Sequence, residues 1–269
     1  MILVLGGEGF VGSAHARLLR ARGLPVTVVT RANYESLRGT ACAVLVNANG
    51  NSRKFLSARD PLWDFDASVR SVAASLVDFP AERYVFLSSG DVYPDTRAPE
   101  ATREDQAIEP ARLSRYGLHK LLAEQLVRGA HPRALVVRMG GFVGPGLAKN
   151  AIFDMLTGAP VWLAPGSALQ FIDTDAAAAL VWGLVERGVE GTVVNLGAEG
   201  VLELGAFHRA IGSASAFRED APAVRYELSL DRLRALAGVP LPRTGDCVMA
   251  FARRVRSGAL HLAAASPAA

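Results

Sequence analysis

The chain opens on ILVL (2–5), passes directly into GGEGFVG (6–12), and continues in a helical pattern, AHARLLRARG (14–23). No other stretch constrains the fold as strongly. A short apolar strand that feeds a glycine-rich turn and then a helix is the start of a βαβ unit. Glycines at 6, 9 and 12 allow a tight turn and let backbone N–H groups approach a pyrophosphate, and the helix N-terminus adds partial positive charge. In a chain with 26 glycines the spacing GxxGxxG is weak by itself; its place between strand and helix gives it weight. Gly6, Gly9 and Gly12 are expected to hold a dinucleotide.

The same alternation runs on. VTVVT (26–30), AVLVN (43–47), RYVFLSS (83–89), ALVVRMG (134–140) and VVNLG (193–197) read as strands. DFDASVRSVAASLVDF (64–79), stopped by Pro80, and RYGLHKLLAEQLVRG (115–129) read as helices. Continuous apolar strands imply burial on both faces. Their alternation with helices predicts an α/β fold, a Rossmann-type doubly wound parallel sheet. No Pro/Ser/Gly-rich linker divides residues 1–269, so a single domain is expected, with a small C-terminal substrate lobe formed mainly by 146–169 and 198–262. The end of the chain, 263–269, is expected to be a disordered tail.

Charge and cysteine usage narrow the function classes. The net charge is only +3, and basic residues are spread out apart from RRVR (253–256). A nucleic-acid partner is not expected, because it calls for a concentrated basic face. Cys42 and Cys247 lie far apart and suit a reducing compartment. The five histidines show no ligand spacing, so no metal site is expected. MILVLGGEG has no basic leader and no apolar run is long enough to span a bilayer. A cytoplasmic protein without a membrane partner is expected.

Two further stretches carry chemistry. YGLHK (116–120) places Lys120 four residues after Tyr116, in a chain with three lysines and twenty-six arginines. Residues i and i+4 share a helix face. A tyrosine that exchanges a proton near neutral pH needs its pKa lowered, and a nearby ammonium does this. Upstream, a strand ends in Ser88 and Ser89, where a hydroxyl can hold a substrate oxygen or cap a turn. At the end of the second strand, VVTRAN presents Arg31 and no acid until Glu35. An arginine there accommodates the 2′-phosphate of NADP, whereas an acid would bond the ribose of NAD. NADP is therefore the expected cofactor and NAD the alternative; a solvated loop arginine is the competing reading of Arg31.

Gly6-x-x-Gly9-x-x-Gly12, SSGDVY (88–93) and Tyr116-x-x-x-Lys120 together resemble the short-chain dehydrogenase/reductase superfamily. Within it the chain is similar to the extended branch of NAD-dependent epimerases and dehydratases that act on nucleotide sugars. VRMGGFVGPG (137–146), QFIDTDAAA (170–178) and VVNLG resemble later signatures of that branch. The resemblance implies Tyr116 as general acid/base, Lys120 as its partner and a ligand of the nicotinamide ribose, and Ser89 as the holder of the reacting oxygen. It makes Asp91 a candidate second acid/base, with a turn-forming role as the competing reading. It adds Phe10, Val11, Asn47, Ala48 and Phe142 to the cofactor site, and Gly141 and Gln170 to the substrate site. The helix carrying Tyr116 and the one before it resemble a pair that forms a four-helix dimer interface, so a homodimer is expected.

Four departures from the pattern stand out. Only about a dozen residues (31–42) separate the second and third strands, where the family has a helix and a strand. Gly141 stands where an asparagine is common, and Leu169 where an arginine is common. The stretch from Pro145 to Gln170 is short. Arg53 and Lys54 in NGNSRK (49–54) could contact phosphate or could belong to a solvated loop. Gly90-Asp91 follows Ser89 where sugar 4,6-dehydratases carry an Asp-Glu pair, which disfavours that reaction. The implied function is an NAD(P)-dependent epimerase or ketoreductase of a sugar, nucleotide-linked. The alternatives are an NADPH-dependent reductase of a small non-nucleotide ketone and a non-catalytic dinucleotide-binding protein.

Overall fold

The computed structural model describes residues 1–263. Six strands form one parallel sheet: β1 (Ile2–Leu5), β2 (Val26–Val29), β3 (Cys42–Asn47), β4 (Ala81–Ser89), β5 (Leu135–Met139) and β9 (Thr192–Leu196), in the order β2-β1-β3-β4-β5-β9. The strand-to-face alternation explains why their sequences are apolar throughout. Ile2, Val4, Val44, Val46, Val85, Leu87, Leu135 and Val137 enter one core. Leu3, Leu5, Leu45, Tyr84, Phe86 and Val136, their neighbours in sequence, enter the other. Each strand thus feeds two helical layers, as a doubly wound sheet requires.

Helices cover both faces. α1 (Gly12–Ala21) and α8 (Thr174–Glu186) lie against each other, and α5 (Ser71–Asp78) against α6 (Arg115–Ala130). The expected helix over 64–79 is longer and interrupted. It comprises α4 (Pro61–Phe65), a π-helical turn (Asp66–Arg70) and α5, after a short α3 (Lys54–Arg59). Asp60 caps α4 by accepting from the Trp63 N–H at 3.1 Å, and Pro61 at the first helical position suits that start.

The abbreviated connection after β2 has a clear structural consequence. β3 pairs directly with β1, so no strand lies outside β2. Only a four-residue helix, α2 (Tyr34–Leu37), fits between them. Side chains fix this short return. Asn33 accepts from the Thr30 N–H at 2.7 Å and donates to the Val28 carbonyl at 3.0 Å. Asp78 accepts from Tyr34 Oη and Arg38 Nε, both at 2.8 Å. The sheet reverses its winding at β1, which puts a crevice at the carboxyl ends of β1 and β3.

The rest of the chain builds a smaller unit over the carboxyl end of the sheet. β6 (Gly141–Val143) pairs with β8 (Phe171–Asp173), and β7 (Ala168–Leu169) lies between β10 (Leu202–Glu203) and β11 (Arg225–Tyr226). α7 (Ala151–Thr157), α9 (Leu204–Ala210), α10 (Asp231–Ala237) and α11 (Thr244–Arg256) pack around them. From residue 264 onward the expected tail lies outside the described residues.

Beneath the crevice is a buried charge network. Glu124 of α6 and Arg138 of β5 meet at 2.8 Å, both almost fully buried. Arg138 also donates to Tyr93 Oη at 2.9 Å, and Tyr93 donates to Asn195 Oδ1 at 2.9 Å. Truncating one member of a buried pair leaves the other charge stranded and costs about 3–5 kcal/mol, whereas exposed pairs are worth about 0–1 kcal/mol. Arg138→Ala is therefore expected to lose several times more stability in urea denaturation than Arg17→Ala, whose ion pair with Asp175 is exposed. Equal losses would show that the network contributes nothing special.

Candidate active site

The crevice is a cavity of about 710 Å³. Gly6, Gly9, Gly12 and Ala48 line one end, and Ser89, Tyr116, Lys120 and Tyr226 are among the residues lining the rest. A volume of this order holds a drug-sized ligand. At the glycine end, Gly6 adopts φ +71°, and a Cβ on Gly12 would collide with the Gly6 carbonyl. α1 starts at Gly12 with no side-chain cap, its Ser13 and Ala14 N–H groups donating to the Gly9 and Val11 carbonyls. An uncapped helix start behind a glycine cradle fits a dinucleotide pyrophosphate. Phe10 and Phe142 meet edge to face, with centroids 6.4 Å apart.

The second strand-end of importance is that of β4. Ser89 Oγ donates to Asp91 Oδ2 at 2.9 Å and accepts from the Asp91 N–H at 3.2 Å, which starts the 3₁₀ turn Gly90–Val92. Ser88 donates to Glu124 Oε1 at 2.5 Å. Both serines line the cavity, but Ser88 spends its hydroxyl on Glu124 and Ser89 on Asp91. α6 is capped by Ser114, which accepts from the Gly117 N–H at 3.1 Å, and it carries Tyr116 and Lys120 on the face turned to β4. A side chain on Gly117 would collide with the Asp91 carbonyl, so this residue lets α6 approach the strand end.

Burial dominates the electrostatics. It pushes the Tyr116 phenol above its ordinary pKa; the negative charge of Asp91 adds to this, and the Ser89 hydroxyl acts in the opposite sense. The expected lowering by Lys120 is not among the effects that set this shift, which burial, Asp91, Ser89 and Asp64 account for. Lys120 is pushed down to about 8 by burial, while Glu124, Asp64 and Asp91 pull it back up. Its ammonium lies 5.4 Å from the centroid of the Phe86 ring and 3.5 Å from the Leu87 carbonyl.

The loop after β3 closes one side. Asn47 is turned inward: its amide donates to Ser75 Oγ at 3.1 Å and Tyr84 Oη at 2.7 Å, and its oxygen accepts from the Asn49 N–H at 2.9 Å. It shapes the turn at Ala48, and its side chain does not enter the cavity. Asn51 donates to Asp64 Oδ1 at 2.7 Å, and Asp64 Oδ2 lies 2.6 Å from His119 Nδ1. His119 therefore pins the loop and does not reach the reacting groups. This fastening delivers Lys54 to an ion pair with Asp91, with its ammonium 5.9 Å from the Tyr116 ring centroid and 5.7 Å from that of Tyr226.

Other expected residues fall into place differently. Val11 and Gly141 line the cavity. Gln170 does too, but its amide is engaged with the backbone of Leu228, accepting at 3.2 Å and donating at 3.4 Å, so it builds the wall. Asp91 reaches the site through Ser89 and Lys54. Arg31 is exposed in the turn after β2, outside the residues that line the cavity. Tyr226 was not foreseen: a Cβ on Gly90 would collide with its hydroxyl, so the tyrosine fills the room that a side chain at 90 would take.

Comparison with known proteins agrees with this fold. The profile of the NAD dependent epimerase/dehydratase family matches residues 2–197. The chain belongs to that family. Among solved structures it is similar to a UDP-galactose 4-epimerase, at 22% identity over 96% of this chain and 99% of that one, with a TM-score of 0.77. It is also similar to a UDP-glucuronic acid 4-epimerase from Bacillus cereus, crystallised with a fluorinated UDP-sugar and NAD, at 16% identity, 95% and 99% coverage and a TM-score of 0.77. A short-chain dehydrogenase/reductase superfamily protein from Agrobacterium tumefaciens with bound NAD aligns at 22% identity, 96% and 98% coverage and a TM-score of 0.74. At these identities the likeness is one of fold. No curated protein matched the sequence. Among the described residues of this epimerase/dehydratase family member, no helix is long and apolar enough to cross a membrane, and no cluster of three metal-ligating side chains is present.

If Lys120 acts as a cation, its state sets the alkaline limit. It is charged below pH 8 and neutral above it, so kcat/KM for ketone reduction is expected to fall as pH rises through about 8. A profile flat to pH 10 would remove Lys120 from that role.

Proposed function

We propose that the protein is an NAD(P)-dependent epimerase or ketoreductase acting on a sugar carried by a nucleotide. One observation carries the reading: Ser89, Tyr116 and Lys120 share a single cavity with the glycine loop and the α1 N-terminus. The nicotinamide cofactor, when bound, takes up or supplies the hydride. The chain's own groups handle the proton and the geometry. Ser89 orients the reacting oxygen, Tyr116 exchanges a proton with it through Oη, and Lys120 places positive charge beside the phenol. Asp91, hydrogen-bonded to Ser89, is positioned to relay a proton. In reduction Tyr116 protonates the ketone oxygen; in oxidation it receives the alcohol proton. An epimerase would use both steps in turn. The small unit over residues 146–169 and 198–262 is proposed as the substrate lobe. The protein is proposed to act in the cytoplasm, consistent with Cys42 and Cys247 being free and buried.

For the cofactor, the family description and the neighbours favour NAD. Arg31 favours NADP, since it stands at the carboxyl end of β2 with no acid beside it before Glu35. A reductase that draws on NADPH is accordingly the second reading. A homodimer is supported by the apolar surface of α4 and α6, where Leu62, Phe65, Leu122 and Leu126 are exposed.

Three measurements test these proposals. Denatured protein should release a tightly held nicotinamide cofactor if it recycles in place; an empty site that binds NADPH and rejects NADH would select the reductase, and Arg31→Asp should then abolish the preference. Tyr116→Phe should lower turnover of a UDP-hexose by about 10²–10⁴-fold, the usual span for general acid/base catalysis. Wild-type rates in that variant would refute the assignment. Light scattering should give twice the chain mass, and Leu122→Glu with Leu126→Glu should halve it.

A further inference from the structure

The cavity that contains the reacting groups is lined by four cationic residues, Arg53, Lys54, Lys120 and Lys149. Among the described residues lining it there is no Asp or Glu. Lys120 belongs to the catalytic group. The other three are exposed and stand at the rim. They come from two segments, the start of α3 and the turn before α7, and Lys149 Nζ joins the segments by donating to the Ser52 carbonyl. Although the residue is exposed overall, partial desolvation pushes the Lys149 ammonium below its ordinary pKa, and the charges of Arg53 and Lys54 push it further. Arg53 is held through its backbone N–H, which donates to Asn51 Oδ1 at 2.6 Å, while its guanidinium has no ion pair among the described residues. The one acid that offsets the group is Asp91, through Lys54.

Like charges held this close raise the free energy of the site, and a bound anion offsets that cost. The guanidinium fork suits two oxygens of a phosphate, and the two ammonium groups act as point charges beside it. The glycine loop and the α1 N-terminus, which line the same cavity, are read above as the site of the cofactor's diphosphate. We propose that Arg53, Lys54 and Lys149 bind a phosphate or diphosphate ester on the substrate, an inference that rests on the nucleotide-sugar reading above. An ammonium has three donors, so Lys54 can hold Asp91 and a phosphate oxygen together. Recognition of the anion is thereby tied to the Ser89–Asp91 pair.

The test uses the full chain saturated with NAD⁺, which fills the glycine end. UDP and inorganic pyrophosphate are titrated calorimetrically into wild type, Arg53→Ala, Lys54→Ala, Lys149→Ala and, as a surface control, Arg128→Ala, with circular dichroism checking the fold. Both probes should bind wild type and the control. Each rim variant should weaken them about tenfold, as expected for loss of a charge-assisted contact. NAD⁺ affinity should stay constant, and probe affinity should drop with added salt. UDP bound equally by all the proteins would overturn the rim site and leave the nucleotide-sugar reading standing. Pyrophosphate sensitive to the three substitutions, with UDP bound no more tightly, would uphold the rim site against that reading. Failure of both probes to bind wild type would sink both. An equal loss of NAD⁺ affinity in the rim variants would reassign the cluster to the cofactor and overturn the proposal.

Discussion

Glu124 and Arg138 carry opposite charges into the interior, and the geometry of the site depends on their meeting. Removing either ion from water costs several kcal/mol, so the pair persists only because its remaining hydrogen-bonding capacity is used. Arg138 donates to both carboxylate oxygens and to Tyr93, and Glu124 also accepts from Ser88. The contact fixes α6 against the ends of β4 and β5. Tyr116, Lys120 and Glu124 follow one another at intervals of four on that helix, so they lie on one stripe. Once Glu124 is locked to Arg138, the rotation of α6 is set. A slip of one residue, about 100° around the axis, would withdraw both Tyr116 and Lys120 from the cavity.

The same anchoring governs charge. Lys120 is buried deeply enough to be driven toward neutrality, and the carboxylates of Glu124, Asp64 and Asp91 oppose this. Two of those three acids have structural partners: Glu124 holds Arg138, and Asp64 holds His119 and Asn51. The scaffold therefore supplies negative charge that opposes loss of the proton from a buried ammonium. The loop 49–54 depends on it too, since Asn51 and the π-turn residue Ser68 tie that loop to the helices.

The sheet was readable in the sequence because both of its faces are buried, which leaves apolar runs that periodicity detects. The short 31–42 interval announced that a helix and strand were compressed, and the pairing of β3 with β1 bears that out. Gly6, Gly9, Gly12, Tyr116 and Lys120 stood out by their spacing and Ser89 by its place at a strand end, and all six line one cavity. The network beneath them was not found, though one signal was available. Arg138 sits inside an apolar strand, LVVRM, and a buried arginine demands an acid. Tyr226 gave no comparable signal. It lies in a two-residue strand, and only the tertiary fold brings it to Gly90. Gln170 lines the cavity but spends its amide on the Leu228 backbone, and Asn47 turns inward to Ser75, Tyr84 and the Asn49 N–H, distinctions that depend on local hydrogen bonds.

Gly90 and Tyr226 also bear on which reaction the site suits. Elimination of water needs one group to remove a proton and another to protonate the leaving oxygen. Where a second carboxylate would stand, this chain has a glycine whose space is taken by a phenol. Burial, with Asp91 and Tyr116 nearby, pushes the Tyr226 phenol well above its ordinary pKa, so it keeps its proton. Of the carboxylates near Tyr116 and Lys120, Asp64 and Glu124 are tied to His119 and Arg138, and Asp91 is already bonded to Ser89 and Lys54. In the proposed reaction, proton exchange would be confined to the one oxygen held by Ser89 and Tyr116. That economy suits hydride transfer at a single carbon, with the neighbouring C–O bonds left intact.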